Sequence, residues 1–154
     1  MANGTVVAIC IGRIAGGEME DVWEVFAEAG NGLVGDRYYN GMGSFNKGES
    51  GKRQVTLMNA MFFKDSVFAF RDSRRNIFTH DVELMDLIGK EFVIGQAVFR
   101  GLKYCDPCTR PNKLAKISTS FKETFFDRGG LVAEIVSSGS IHVGDVVVPP
   151  KKAY

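Results

Sequence analysis

The sequence has no long apolar run, no excess of one charge, few cysteines and no internal repeat, and each absence narrows what the chain can be. No stretch approaches the roughly 20 consecutive apolar residues that a bilayer-spanning helix needs, so no membrane partner is expected. Lys and Arg total 19 against 18 Asp and Glu, divided evenly as 9 basic and 9 acidic in residues 1–77 and 10 and 9 in residues 78–154. A nucleic-acid-binding tail or an acidic arm would show as a charge block, and none is present. The neutral balance leaves room for a local basic pocket, because a phosphorylated small molecule needs only a few converging cations. The three cysteines, Cys10, Cys105 and Cys108, are an odd number. Residues Met1 to Ile14 contain a short apolar stretch at Val6–Ile11 without a basic leader, which reads as a first strand rather than a signal peptide. Free thiols in a reducing cytoplasm are the expectation that follows.

What is present fits one small β-rich domain. A length of 154 residues with 45% hydrophobic content supports a single well-packed core spanning residues 1–154. Eighteen Gly and twelve Phe, with many Val and Ile, describe short strands joined by tight turns, as in a barrel or sandwich. Val6–Ile11 is a continuous β-prone run, of the kind buried on both faces. Val22–Ala29 fits both a helix stripe and strand alternation. Gly30–Gly51 carries seven glycines and reads mostly as loop, a length usually tied to function or mobility. Further on, Arg53–Met58 reads as a strand and Asn59–Phe70 as a helix with Asn59 as its N-cap. Val82–Ile88 is a helical turn closed by Gly89, and Phe92–Ile94 and Gln96–Arg100 are strands around Gly95. Leu131–Val136 and Ile141–Val148 complete the strands, with Ser138-Gly139-Ser140 as the turn between them.

The strongest chemical signal is Cys105-Asp106-Pro107-Cys108. Two thiols at this spacing can form a disulfide, share a metal, or set one thiolate beside a helix start. Structural zinc wants four ligands, and the remaining candidates, Cys10, His80 and His142, form no second paired motif. Thioredoxin-like chemistry wants the motif in a βαβ unit, which the surrounding pattern does not suggest. Two buried small hydrophobes would be the plainest account of such cysteines. Against it, Asp106, Thr109, Arg110 and Lys113 make the segment polar, and the two cations, with any helical turn beginning after Cys108, would favour a thiolate. A nucleophilic or metal-binding thiolate is the preferred reading.

Gly35-Asp36-Arg37 and Arg74-Arg75-Asn76-Ile77-Phe78-Thr79 come second. A guanidinium can clasp a phosphate or carboxylate with two hydrogen bonds, while Asn and Thr supply orienting ones. Each segment reads equally well as a solvated turn with a surface ion pair, with Asp36 merely orienting Arg37. His80 is a candidate proton donor, though a lone His is more often a surface or packing residue. Gly129-Gly130, after Arg128, and Gly144-Asp145 look first like turn chemistry, which leaves Arg128 a weak ligand candidate.

Taken together these segments resemble the MOSC family, named for the C-terminal domain of molybdenum cofactor sulfurases. The likeness runs in order through GLVGDRYY at 32–39, RQVTL at 53–57, RRNIFTHDVELMDLIGKEFVIGQAVFRG at 74–101, CDPC at 105–108, RGGLVAEIV at 128–136 and GSIHVGDVV at 139–147. The resemblance implies a mainly β, barrel-centred fold with a few short helices, and so a strand at Val22–Ala29. It implies that Cys108 carries persulfide sulfur or ligates molybdenum through its thiolate, Cys105 being the more dispensable partner. It further implies a molybdenum pterin cofactor (molybdopterin) whose phosphate Arg37, Arg75 and Arg128, with Asn76 and Thr79, would hold. Larger relatives use such a domain to reduce N-hydroxylated compounds. This sequence shows neither an aminotransferase-like sulfurase domain nor the electron-transfer partners of those relatives. The expectation is therefore a chain with no pyridoxal phosphate site, dependent on an electron-donor or sulfur-transfer protein.

Overall fold

The structure, a computed structural model, describes residues 2–41 and 53–150. Part of the glycine-rich stretch read as loop, residues 42–51, lies outside the described residues.

Strands β1 (Gly4–Gly12), β2 (Met19–Val22), β3 (Glu24–Glu28), β4 (Gly32–Leu33), β5 (Val55–Asn59) and β6 (Ile77–His80) come first. They are followed by β7 (Glu91–Ile94), β8 (Ala97–Tyr104), β9 (Leu131–Ser137), β10 (Gly139–His142) and β11 (Val146–Val148). Two short helices, α1 (Arg110–Ala115) and α2 (Phe121–Thr124), sit between β8 and β9. The main sheet runs β11-β7-β8-β9-β5-β6-β1-β2, and a further pairing of β11 with β1 closes seven of these strands into a barrel. Strand β2 is left outside the closure, and β10-β3-β4 form a separate small sheet. Closure removes the exposed edges that the barrel strands would otherwise present.

The barrel interior is aliphatic with a stacked Phe92–Phe99 pair, and includes Ile9, Leu57, Ile77, Leu131 and Ala133, all at most 1% exposed. Strand β1 shows how one strand serves two cores. A register shift between Val6 and Ala8 adds one residue, so Val6, Ile9 and Ile11 share the interior although 6 and 9 differ in parity. Ala8 and Cys10 then face an outer cluster of Met58, Phe63, Phe68, Phe78, Phe121 and Phe125. The expected burial on both faces therefore holds for Ile9–Gly12, while the first half of the strand is more open.

Strands β5 and β6 pair in parallel, so the chain must cross over between them, and the crossover is residues 60–76. A helix was expected over Asn59–Phe70; the structure instead has a 3-10 turn at Ala60–Phe63, another at Phe70–Ser73, and Asp65 in the left-handed region at φ 65°. Asn59 does cap the first turn, its side chain accepting from the Met61 amide at 2.9 Å. Packing explains the broken helix. Phe63 and Phe68 both enter the outer aromatic cluster, yet residues five apart on an α-helix point about 140° apart. The strand assignment for Val22–Ala29 is correct in kind, with Trp23 separating β2 from β3. Of the expected turn at 138–140, Gly139 and Ser140 instead open β10. The run Ile141–Val148 is split where Gly144 takes φ 96° and the Asp145 carboxylate accepts from the His142 amide at 2.7 Å.

Candidate functional site

The aromatic cluster fixes the crossover against the outer barrel wall, with Phe70 stacked on Phe78 and Phe63 packed on Phe125. It thereby fixes the end of the crossover, where Arg74 and Arg75 lead into β6. Arg74 closes the Phe70–Ser73 turn in the left-handed conformation at φ 63°, an unusual backbone state for a side chain with a Cβ. Its Nη1 donates to the Gly17 carbonyl at 2.7 Å, while Nη2 is buried with no partner among the described residues. Arg75 is 7% exposed; its Nε donates to the Gly129 carbonyl at 2.9 Å and its Nη1 to the Ser73 carbonyl at 3.1 Å. Its Nη2 is likewise buried and without a partner among the described residues.

A buried carboxylate organises the adjoining wall. Asp36 accepts from the Gly12 amide at 3.0 Å, the Tyr38 amide at 3.2 Å, Asn76 Nδ2 at 3.2 Å and Arg37 Nη1 at 3.1 Å. A buried charge is tolerable when it is paired and hydrogen-bonded to this extent. Arg37 in turn donates from Nη2 to the Arg74 carbonyl at 2.9 Å and lies 4.3 Å from the Tyr38 ring centre. The Gly35-Asp36-Arg37 segment is thus a buried brace, not a solvated turn, and Asp36 orients Arg37 as one sequence reading had it.

The two cysteines of the CDPC motif separate. Cys105 is buried, its amide donating to the Gly130 carbonyl at 2.9 Å and its sulfur lying 3.7 Å from Arg53 Nη1. Gly129 lets this segment pass, because a Cβ there would collide with the Cys105 carbonyl and the Pro107 ring. Cys108 emerges exposed just ahead of α1. It opens into a pocket shared with Arg37, Arg53, Arg74, Arg75 and Arg110. Burial, followed by the charges of Arg37 and Arg110, pulls the Arg74 pKa down to about 10. So many guanidiniums on one side of a pocket, two with buried unpartnered nitrogens, make a site complementary to an anion.

Of the residues singled out in the sequence, Cys108, Arg37 and Arg75 meet in this pocket. Asn76 stands behind it as a structural link, donating to the Cys10 carbonyl at 3.1 Å and accepting from the Thr56 amide at 3.0 Å. Thr79 is fully buried in β6 and is not among the pocket's walls. Arg128 lies elsewhere, exposed over the Phe62 ring at 5.0 Å beside a different cleft. Of the other pocket arginines, Arg74 entered the sequence reading only as part of its doublet, Arg110 only as a cation favouring the Cys108 thiolate, and Arg53 only as the start of a strand. The doublet Arg74-Arg75 was visible, but nothing in sequence order shows that Arg53 and Arg110 converge on it.

The zinc alternative finds no support. No group of three or more metal-ligating side chains occurs among the described residues. Burial, then a 3.1 Å hydrogen bond to Asp21, pushes the Cys10 thiol well above its ordinary pKa, so it stays protonated. His80 and His142 pair with acids beside them at the surface, Asp81 at 3.3 Å and Glu24 at 2.9 Å.

Fold and site together define a small closed β-barrel that presents one exposed cysteine in an arginine-rich, anion-complementary pocket. The MOSC domain model matches residues 52–148, and the chain belongs to that family, which is associated in general with the molybdenum cofactor. Among solved structures the chain is similar to the YUAD protein from Bacillus subtilis, with a TM-score of 0.76 and 15% identity over 98% of both chains. It is also similar to YiiM from Escherichia coli, with a TM-score of 0.66 and 16% identity over 99% of this chain and 72% of that one. YiiM from Geobacillus stearothermophilus gives a TM-score of 0.70 and 12% identity over 96% and 75%. At these identities the likeness establishes the fold. No curated protein matches the sequence. No helix among the described residues is long and apolar enough to cross a membrane.

Proposed function

We propose that this chain holds a molybdenum pterin cofactor in the arginine pocket, with Cys108 as the protein ligand to the metal, and reduces N-hydroxylated compounds with electrons from a partner protein. The observation that carries the reading is the pair of buried, unpartnered guanidinium nitrogens of Arg74 and Arg75 in the same pocket as the exposed Cys108. A buried donor without a partner is destabilising, and a phosphate would satisfy both. The residues fit the group in kind: a soft thiolate for the metal, and forked cations for a phosphate.

Arg75 and Arg74 would clasp the phosphate, with Arg110 adding charge at the mouth. Arg37 is committed to Asp36 and the Arg74 carbonyl, and it would hold the Arg74 turn in place rather than bind alone. Cys108 would donate thiolate sulfur, while Cys105, buried under Arg53, would shape the loop without touching the metal. When bound, the cofactor would supply a redox-active metal with a coordination position open to substrate.

The exposure of Cys108 also favours a second reading, a carrier that binds persulfide sulfur or the cofactor at Cys108 and passes it to an acceptor without turnover. The deciding experiment expresses wild type and Cys108→Ser in a host that makes the cofactor and measures molybdenum and oxidised-pterin fluorescence. Stoichiometric metal and pterin in wild type, lost in the variant, is the expected result. Reduction of a hydroxylamine or amidoxime by the loaded protein with an artificial donor then marks the enzyme; full loading without turnover marks the carrier. Wild-type protein free of molybdenum and pterin would overturn the cofactor reading.

A further inference from the structure

A second cavity adjoins the cysteine pocket and is not used by the cofactor reading. It encloses about 350 Å³ and shares Gly16, Arg74 and Pro111 with the cysteine pocket, so the two spaces meet at Arg74. That size falls within the range of small-molecule sites. Met19, Pro111, Leu114 and Ala115 give it an apolar side. Its charged lining is Arg71, Arg74, Glu18 and Asp72. Asp72 is engaged, accepting from the Ala69 amide at 2.8 Å, and Glu18 and Arg71 are exposed at the surface. Arg74 is the one lining residue with a polar atom both buried and unpartnered among the described residues.

We infer that this chamber is the substrate seat, and that it takes a small molecule with an apolar portion and one anionic group, a carboxylate or its equivalent, set against Arg74. The inference rests on the cofactor reading for its substrate role, but the binding it describes does not. Arg75 lines only the cysteine pocket, whereas Arg74 lines both spaces, so the guanidinium that would share the cofactor's phosphate on one side also presents its charge to the chamber on the other. An apolar wall beside a forked cation selects a ligand of mixed character: the wall gains from burying a ring, and the guanidinium discriminates against a neutral group in the anion's place. The N-hydroxylated end would then extend past Arg74 toward Cys108.

Benzoate and its neutral counterpart benzamide are suitable probes for the cofactor-free protein, with amide shifts followed by nuclear magnetic resonance. Benzoate should move the amides of Gly16, Gly17, Leu114 and Ala115 and bind about tenfold or more tightly than benzamide, as expected for a charge-assisted contact. Leu114 is exposed, so Leu114→Trp should fold normally, fill the chamber and weaken benzoate about tenfold, with molybdenum and pterin content unchanged. Equal binding of the two probes, or shifts confined to the Ser73 and Cys108 side, would overturn the inference. Loss of pterin in Leu114→Trp would also overturn it, by showing that the chamber is part of the cofactor's own bed. Benzoate binding at the chamber in a protein that never acquires molybdenum would support the ligand site and sink only the cofactor reading.

Discussion

The barrel interior is built by strands and the arginine pocket by the loops, turns and short helix α1 that join them, and the two solve opposite problems. Inside the barrel, side chains such as Leu57, Ile77, Phe99 and Leu131 are fully buried and ask only for close contact. In the pocket, five arginines converge, one is held at a left-handed backbone angle, and, among the described residues, two of the three buried side-chain polar atoms without partners belong to them. The first region is optimised for the folded state alone. The second holds buried donors that a bound anion would satisfy, and unpaired polar groups and backbone strain concentrated at one place are signs of function.

The comparison can be broken hardest from inside the barrel. Phe99 is fully buried and stacks on Phe92 with ring centres 5.6 Å apart. Phe99→Ala should lower unfolding free energy by about 3–5 kcal/mol, through lost burial and the cavity left behind. Urea denaturation of the cofactor-free protein measures this directly. A loss below about 1 kcal/mol would show that the interior repacks freely and is not the rigid half of the contrast.

The brace between the two regions comes next. Asp36→Ala removes an acceptor of four donors and leaves the 5%-exposed Arg37 without its ion-pair partner. Breaking a buried pair from one side typically destabilises by about 3–5 kcal/mol, and the lower end is expected here because Arg37 keeps its bonds to the Arg74 carbonyl and Tyr38 hydroxyl. Asp36→Asn should be milder, since its one amide oxygen can still accept from the Gly12 amide, although the bond from the Tyr38 amide to the second oxygen is lost. Equal stability of Asp36→Ala and wild type in urea would mean that the brace holds nothing.

The contrast between regions also explains what could be read from the sequence. The barrel strands were legible because repeated hydrophobic residues and Gly turns are local signals, as at Phe92–Ile94 and Gln96–Arg100 around Gly95. The family likeness drew Cys108, Arg37 and Arg75 to attention, and they do share a pocket. Asn76 and Thr79 carried the same motif, yet Asn76, just ahead of β6, is spent on Thr56, Cys10 and Asp36, and Thr79 is buried within the strand. Arg128 stands at a different cleft, while its neighbour Gly129 supports the cysteine pocket: the Gly129 carbonyl accepts from Arg75 and the missing Cβ admits the CDPC loop. The helix expected at Asn59–Phe70 failed for a tertiary reason, the shared aromatic cluster, which no local pattern reports.

The smallest effect is expected in the pocket itself, and it is the one that separates the two regions most sharply. Arg74→Gln removes a cation that burial and two neighbouring arginines already disfavour, and loses one hydrogen bond to the Gly17 carbonyl. The two changes oppose each other, so stability of the cofactor-free protein should move by no more than about 1 kcal/mol in either direction. Inorganic phosphate should nevertheless raise the melting temperature of wild type, by binding the folded state alone, and raise it less in the variant. The pH dependence follows from the sign of the shift. A cation whose pKa is lowered on folding carries its penalty throughout the range below about pH 10, and that penalty fades as the group deprotonates above it. Phosphate relieves the penalty only while Arg74 is charged, so its added stabilisation should be full near neutrality and decline as pH rises through about 10. Thermal melts with and without phosphate across that range would show it. A phosphate effect independent of both pH and Arg74 would place the anion elsewhere and remove the pocket's claim to be the incomplete half of the molecule.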